Sequence, residues 1–558
     1  MSNLVNTAMS GLKAAQAALS AVSNNISNQA VTGYSRQTAL IEQATGTSTG
    51  GVYIGNGVNL VSINRDYNQF IASQLRSAQA TSSSVTTSYE QISKIDNLLA
   101  SSTTNLSTSM QEFFTNLQNV ANNAGDSSAR QTMIGKAQGL VNQFQVTDKY
   151  LRDMESSINS EIKSVVGQVN TYTSQIANLN KEITRLQGAQ PNDFLDQRDL
   201  LVDELNKLVG VDVTIQDGSI YNVSLKNGMN LVQSTRSFDL VTIPSSSDPQ
   251  RVAVGYDDPT VGVSELRDNT LSGGKLSGLI SFRTDTLDTT RNQVNQLALA
   301  FADAFNTQHK AGYDYNGDPG DDLFQFGGPV VYENSKNTGN AVLNATYTDT
   351  KSVQATDYSM HFNGNSWDIT RTATNTTITG LTPDADGKLS FDGLEVTITD
   401  GATPTAVGDT YLLKPVSDVI IDMKVAISDP NKVAAASTKL DEDGNEVPGE
   451  SGGPSDNTNA KALLALQNEK IVGNTATFTG AYASIVGDIG NQTNTLKINS
   501  TAQKNVVTQL TAQQQSVSGV NLDEEYGDLM RYQQYYMANA QVIQTAQALF
   551  DALLSIRS

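Results

Sequence analysis

Few side chains in this sequence can do chemistry. Its 558 residues include two histidines, His309 and His361, and no cysteine, so nucleophile–base pairs and His/Cys metal sites have almost no material. His309 falls at an expected helix end, where an imidazole serves as a structural or capping group. Asp314, Asn316 and Asp318 alternate like the opening of a calcium loop. The pattern then fails, because Pro319 stands where glycine is required and Gln325 where the bidentate glutamate belongs. No metal, no other cofactor and no enzymatic activity are expected. Three polar groups are left to consider. Asp196, Arg198 and Asp199 read either as an ion-pair site or as a solvated helix start or fold-back contact. Asp523, Glu524, Glu525 and Asp528 suit the dipole at the start of a last helix. Asn24, Asn25 and Asn28 are either helix caps or amides that hydrogen-bond across packed helices.

Association is better represented than catalysis. Met1, Val5, Ala8, Leu12, Ala15, Leu19, Val22 and Ile26 follow one another at spacings of four and three, and Leu522, Leu529, Tyr536, Ile543 and Phe550 recur every seven residues, with Tyr532, Ala546 and Leu553 on the flanking row. Such steps keep residues on one helix face, so each end of the chain offers an apolar seam to another helix. The other faces of the first helix carry Ser10, Gly11, Ala14, Ala17, Ala18, Ser20 and Ala21, side chains small enough for close approach on several sides. Burial of one seam falls short of the conformational entropy of ordering the helix that bears it. Both ends are therefore expected to order when neighbouring subunits cover them, as in an assembly subunit.

The bulk properties agree. A formal charge of −21 and a pI near 4.5 repel phosphate backbones and anionic lipids, which excludes nucleic acid and membrane surfaces as partners. No apolar run reaches the 18 residues of a membrane span. The N-terminus lacks the basic start and unbroken apolar core of a cleaved signal peptide. Absence of cysteine suits a chain that must stay unfoldable and uncrosslinked during export, and is also compatible with residence in the cytosol.

Along the chain, the first helix ends near residues 28–33, and residues 46–57 form a turn-rich connector or hairpin. Helical periodicity then runs from Tyr67, strongest over 129–186, where Gly188 and Pro191 end it. At Val211 the period becomes two, with Asp217-Gly218 and Asn227-Gly228 as hairpin turns. Helix resumes over 288–308, short strands over 312–455, and helix again from Ala460. The predicted fold class is α+β multidomain: terminal helices paired in a coiled coil, a long-helix bundle, and inserted β-rich outer domains. The division is 1–36 plus 520–558 as terminal-helix domain, 37–210 plus 266–311 plus 458–519 as helical core, 211–265 as a small β insertion, and 312–457 as the outer β domain with a flexible linker near 441–457.

Ser23-Asn24-Asn25-Ile26-Ser27-Asn28, with Gly33-Tyr34-Ser35-Arg36-Gln37 after it, resembles the N-terminal signature of the bacterial flagellar axial proteins, which build rod, hook and hook–filament junction. The Tyr34-Ser35-Arg36-Gln37 ending is similar to the hook-associated, junction-forming branch. Residues 192–199, 309–317, 518–525 and 531–536 resemble the same branch in the same order, over the whole length. Gly527 departs from it, placing a weak helix former inside the last helix. The resemblance implies a secreted structural subunit of the extracellular flagellum, exported through the flagellar type III apparatus with a dedicated chaperone at its C-terminal region. It would polymerise with itself through Val5, Ala8, Leu12, Ala15, Leu19, Val22 and Ile26 and through Leu522, Leu529, Tyr536, Ile543, Phe550 and Leu553. The family-motif residues are Asn24, Asn25, Asn28, Gly33, Tyr34 and Arg36. Hook protein, the second junction protein and the filament cap protein are the implied neighbours. The alternative reading is a secreted adhesin or binding module on a helical stalk.

Overall fold

The computed structural model describes residues 2–49, 51–101, 106–186, 190–216 and 219–557. Met1, Gly188 and the Asp217-Gly218 turn, singled out from the sequence, lie outside the described residues. The chain opens with α1 (Ser2–Asn28), followed by a long hairpin of β1 (Gln37–Gln43) and β4 (Val58–Arg65) whose tip is the shorter pair β2 (Thr47–Thr49) and β3 (Val52–Ile54). The helical body follows: α2 (Gln69–Leu99), α3 (Leu106–Asn122), α4 (Ser127–Arg185) and α5 (Asn192–Leu208). Asn68 caps α2 by accepting from the Phe70 and Ile71 amides, and Asp126 caps α4 through the Ser128 amide.

Residues 211–265 form two antiparallel sheets, β5 (Val211–Gln216), β6 (Ile220–Leu225), β7 (Asn230–Gln233), β8 (Arg236–Ser237), and then β9 (Leu240–Pro244), β10 (Val252–Asp258), β11 (Gly262–Glu265). Helix returns earlier than the sequence reading has it. α6 (Gly274–Ser281) runs through a π-helical stretch, Phe282–Leu287, into α7 (Asp288–Lys310). The early start is invisible locally because it begins on Gly273 and Gly274, both at positive φ. The chain closes with α8 (Thr458–Ala465), α9 (Phe478–Ser518), which pairs with α2, and α10 (Leu522–Arg557), which pairs with α1.

Six phenylalanines hold the body together. Phe113 and Phe114 of α3, Phe301 and Phe305 of α7, Phe324 and Phe478 are buried with ring centroids 4.6–6.4 Å apart. Nearby, His309 ends α7 as a buried neutral imidazole: Nδ1 donates to the Asp321 carbonyl while Nε2 accepts from the Ala434 amide. Burial pushes its pKa down, so it remains a structural group.

The outer domain contains a five-stranded antiparallel sheet in the spatial order Val330–Glu333, Thr410–Lys414, Tyr358–Phe362, Trp367–Arg371, Thr376–Leu381, with a three-stranded sheet beside it. The stretch 441–457, assigned to a flexible linker, is largely an antiparallel arm instead, Thr438–Leu440 against Glu446–Ser451. The Asp441 carboxylate closes its turn by accepting from the Asp443 and Asn445 amides, so its Gly/Asp richness serves a hairpin. At the supposed calcium loop, the ammonium of Lys432 lies 3.1 Å from both Asp314 and Asp318, taking the position a cation would need.

Burial pushes the carboxyls of Asp392 and Asp409 up, but Arg371 and the Tyr358 hydroxyl on one, and three backbone amides on the other, outweigh it and hold both below 3.8. Such groups stabilise the fold fully above the unfolded value and lose that contribution as pH falls through the folded one. The single tryptophan, Trp367, is buried between Phe362 and Tyr411 of the same sheet. Melting followed by Trp367 emission is expected to hold a constant Tm from about pH 7 to 5 and to fall steeply below about pH 4.

Candidate functional site

The two ends of the chain pair antiparallel. Gly11 lies against Asn539, and Asn25 bonds Glu525, so moving toward the start of α1 moves toward the end of α10. On α1 the buried side chains are Ala8, Ala14, Ala15, Ala18, Ala21, Val22 and Asn25. Gly11, Ala18 and Asn25 are one heptad apart and face α10, while Ser10, Ala14 and Ala21 lie toward the hairpin. This corrects the seam drawn from the sequence. Ala8, Ala15 and Val22 are buried as expected, but Val5, Leu12, Leu19 and Ile26 are only half-buried. The seam is rotated because small side chains admit two neighbours at close range, and the larger ones are left at its border.

On α10 the row facing α1 is Glu525, Tyr532, Asn539 and Ala546, flanked by half-buried Leu522, Leu529 and Ile543. Tyr536, Phe550 and Leu553 are exposed. The register explains the last two. Fourteen residues separate Gly11 from Asn25 and Glu525 from Asn539, so position 548 lies level with Ser2 and the rest of α10 overhangs the start of α1. The terminal helices pair with each other as the predicted coiled coil has it, so a first partner for each end lies in the same chain and not only in a neighbouring subunit. Each helix covers the other, and the hairpin covers a second side of α1.

That hairpin belongs with α1 rather than with the helical core to which residues 37–65 were assigned. At Gly57, φ +87°, a Cβ would stand 2.2 Å from the Ser10 hydroxyl oxygen, which accepts from the Val58 amide. Gly57→Val is expected to lift the strand from α1 and raise amide exchange at Val58 and Ala44, whose amide donates to the Gly57 carbonyl.

Where helix pair, hairpin and body meet, a continuous polar network forms. The buried Asn25 amide group is fully used: Nδ2 donates to the Gln37 carbonyl and to Glu525, each at 2.9 Å, and Oδ1 accepts from the Gln37 amide and the Tyr34 hydroxyl. Arg36 donates through Nε to Glu525 at 2.7 Å, and its amide bonds the Ser518 carbonyl at the end of α9. Gly33 turns the chain at φ +83°, close over Leu200 of α5. The Ser35 amide then reaches Asp196. Arg65 of β4 bonds Asp196 at 2.7 Å and Asp199 at 2.9 Å, and Arg76 of α2 bonds Asp199 at 3.2 Å and Asp203 at 2.6 Å. One chain of charges and amides thus ties α1, α10, the hairpin, α5 and α2 together.

The electrostatics follow the packing. Burial, then the carboxylates Asp196, Asp193 and Glu525, raise the Tyr34 hydroxyl and keep it a donor. Burial also raises Asp196, only partly offset by Arg65. Arg198 is buried with its guanidinium 3.5 Å over the Tyr221 ring and bonded to Asn180, which fastens the small β insertion to α4 and α5. Asp196 and Asp199 are therefore a buried ion-pair site and not a solvated helix start. Beside the joint lies a polar cleft of about 760 Å³ between the α1–β1 turn, α2, α5 and the end of α9.

Of the motif residues, the joint uses Asn25, Gly33, Tyr34 and Arg36. Asn24 is exposed, and Asn28 only bonds back to the Asn24 carbonyl. Arg65, Arg76, Gln37 and Glu525 were missed as members. Glu525 stood in the acidic run ascribed to the helix dipole, whereas a lone arginine on a strand and another on a helix carry no local signal. Among the described residues no His/Cys/Asp/Glu group could hold a metal ion, and no helix is long and apolar enough to cross a membrane.

Terminal helices paired across the whole chain and joined by this knot to a helical body have the build of an assembly subunit, and both ends match flagellar axial families. Residues 5–34 match the flagella basal body rod protein family, and 513–556 the C-terminal region of the basal body rod proteins FlgE, FlgF and FlgG. Within that class, residues 92–324 match the helical domain of flagellar hook-associated protein FlgK and 332–415 the D2-like domain of flagellar hook-associated protein 1. The sequence is 55% identical over 562 residues to flagellar hook-associated protein 1 of Escherichia coli and 56% over 563 to that of Salmonella typhimurium, covering 100% of both chains in each case. The fold is similar to the flagellar hook junction protein FlgK of Burkholderia pseudomallei, with TM-score 0.74 and 30% identity, covering 80% of this chain and 100% of that one. The chain belongs to the flagellar hook-associated protein 1 family. It is a structural protein of the extracellular flagellum, associated with other axial components at the hook–filament junction, and not an enzyme. Family membership replaces the adhesin reading.

Proposed function

We propose that the subunit enters the junction through α1 and α10, which stand in the wall of an axial tube, while the joint at Asn25, Arg36 and Glu525 fixes the angle between that wall and the helical body. The observation that carries this is the exposed apolar surface of α10: Tyr526, Met530, Tyr535 and Met537 along the stretch paired with α1, and Leu549, Phe550, Leu553 and Leu554 on the overhang beyond it, are all at least half exposed, more apolar surface than a helix left in water carries. Charge supports it as well. The terminal segments 1–36 and 520–558 hold 4 basic and 5 acidic residues, so copies can pack without repulsion, whereas 312–457 holds 8 basic and 23 acidic.

In this reading Val5, Leu12, Leu19 and Ile26, half-covered within the chain, complete their burial against neighbouring copies, as do Tyr536, Phe550 and Leu553. Hook protein adjoins one side of this stretch of tube, the second junction protein the other, with the filament cap protein beyond. A dedicated chaperone holds the apolar end of α10 until the chain passes unfolded through the type III apparatus. Leu12→Asp and Ile543→Asp are expected to abolish incorporation into flagella and motility, with Trp367 emission unchanged. Normal motility in either variant would overturn the assignment.

A further inference from the structure

A second charge network lies far from the joint. Lys414, on the strand Thr410–Lys414 of the outer sheet, donates to Asp248 in the loop between β9 and β10, with side-chain exposures of 5% and 3%. Arg251 of the same loop meets Asp248 at 3.1 Å, Asp288 at the start of α7 at 2.5 Å and Glu155 of α4 at 3.6 Å. Glu155 bonds Arg291 of α7 at 2.9 Å, and Asp148 of α4 meets Arg291 at 3.7 Å and also pairs with Arg152. Four cations and four anions therefore alternate through three bodies, with Arg251 touching three of the carboxylates. Asp357 faces α7 as well, bonded by Asn292.

Around the network the small insertion and the outer sheet meet through polar contacts. The Ser335 amide donates to the Ser246 carbonyl at 2.8 Å, Gln250 donates to the Tyr332 hydroxyl at 3.0 Å, and Lys336 pairs with Glu265 at 2.9 Å. Insertion and outer sheet each share the apolar core with the helical body, but between themselves the contact is polar, and a polar contact does not by itself fix orientation. A buried ion pair behaves differently: sliding separates charges that water cannot reach, so the geometry is all-or-none.

We infer that the Arg251-centred network is an electrostatic clamp that holds the outer β sheet and the small β insertion in one orientation on the helical body. Its partners come from separate parts of the chain, and removing Arg251 strands Asp288 and takes from Asp248 and Glu155 one of their two cations. The clamp lets load on the outer domain pass to the body without rotation, a role independent of how the terminal helices polymerise.

The absence of native cysteine makes a direct test simple. Spin labels on Val407→Cys, in an exposed loop of the outer domain, and Ser160→Cys, on the exposed face of α4, report the angle between bodies by electron–electron distance measurement in the full chain. The parent should give a narrow distribution, and Arg251→Met one broader by about twofold, with helix content and Trp367 emission unchanged. A folded Arg251→Met chain with the parent distribution overturns the clamp. If that variant fails to fold, Lys414→Met, at the edge of the network, decides in the same way: broadening supports the clamp and an unchanged distribution overturns it.

Discussion

An Arg65→Met chain is expected to lose about 3–5 kcal/mol of stability at the joint, the usual consequence of removing one partner from a buried ion pair. One guanidinium nitrogen holds both Asp196 and Asp199, and all three side chains are 9% exposed. Methionine keeps the apolar stem but leaves two carboxylates facing each other out of water. Burial already raises Asp196, and without Arg65 it rises further. A carboxyl raised in the folded state binds its proton more readily there than when unfolded, so the deficit is smallest at low pH and grows as pH rises. Amide exchange over α5 and the hairpin should therefore be accelerated more at pH 7 than at pH 5. Asp199→Asn in the Arg65→Met background should recover part of the loss, since the repulsion between the two facing carboxylates is gone. Parent-like exchange in Arg65→Met would show that the joint is held by something other than these charges.

The second large effect belongs to the seam. Ala18 is 1% exposed and stands one heptad from Gly11 and from Asn25, both against α10. Ala18→Asp puts a carboxylate between two close helices and out of water, a change of several kcal/mol for a buried charge. The helix pair should separate, and incorporation into flagella and motility should be lost, while the body and outer domain remain folded by circular dichroism and Trp367 emission. Ala18→Ser, nearly the same size and able to bond the preceding turn, is the control expected to assemble. Motile Ala18→Asp cells would mean that the seam is not where α1 and α10 are held.

Much of the architecture was legible because periodicity is a local property. The run from Ile162 to Ile183 lies on α4, the alternation at Val211–Ile215 on β5, and Gly33 ends the first turn where a positive φ is needed. The site was legible only in part. Asn25, Tyr34 and Arg36 stood in a motif, yet their partners lie far along the chain, with Glu525 500 residues from Asn25 and Asp196 161 from Ser35. Arg65 and Arg76 look like ordinary surface cations until the fold surrounds them with Asp196, Asp199 and Asp203.

By itself the sequence determined that both termini are helices with an apolar stripe, that two β-rich segments interrupt a helical body, and that nucleophile–base pairs and His/Cys metal sites have almost no material. Those follow from side-chain spacing and composition, which need no knowledge of neighbours. Tertiary structure decided which face of α1 is the seam, that the hairpin belongs to α1, and which carboxylates are joint rather than solvent. Hydrophobic period identifies a stripe to within about one residue of rotation, a turn of roughly 100°. Choosing between adjacent stripes depends on how close a partner can come, and that distance is set by Gly11, Ala14, Ala18 and Ala21 acting together against two different elements.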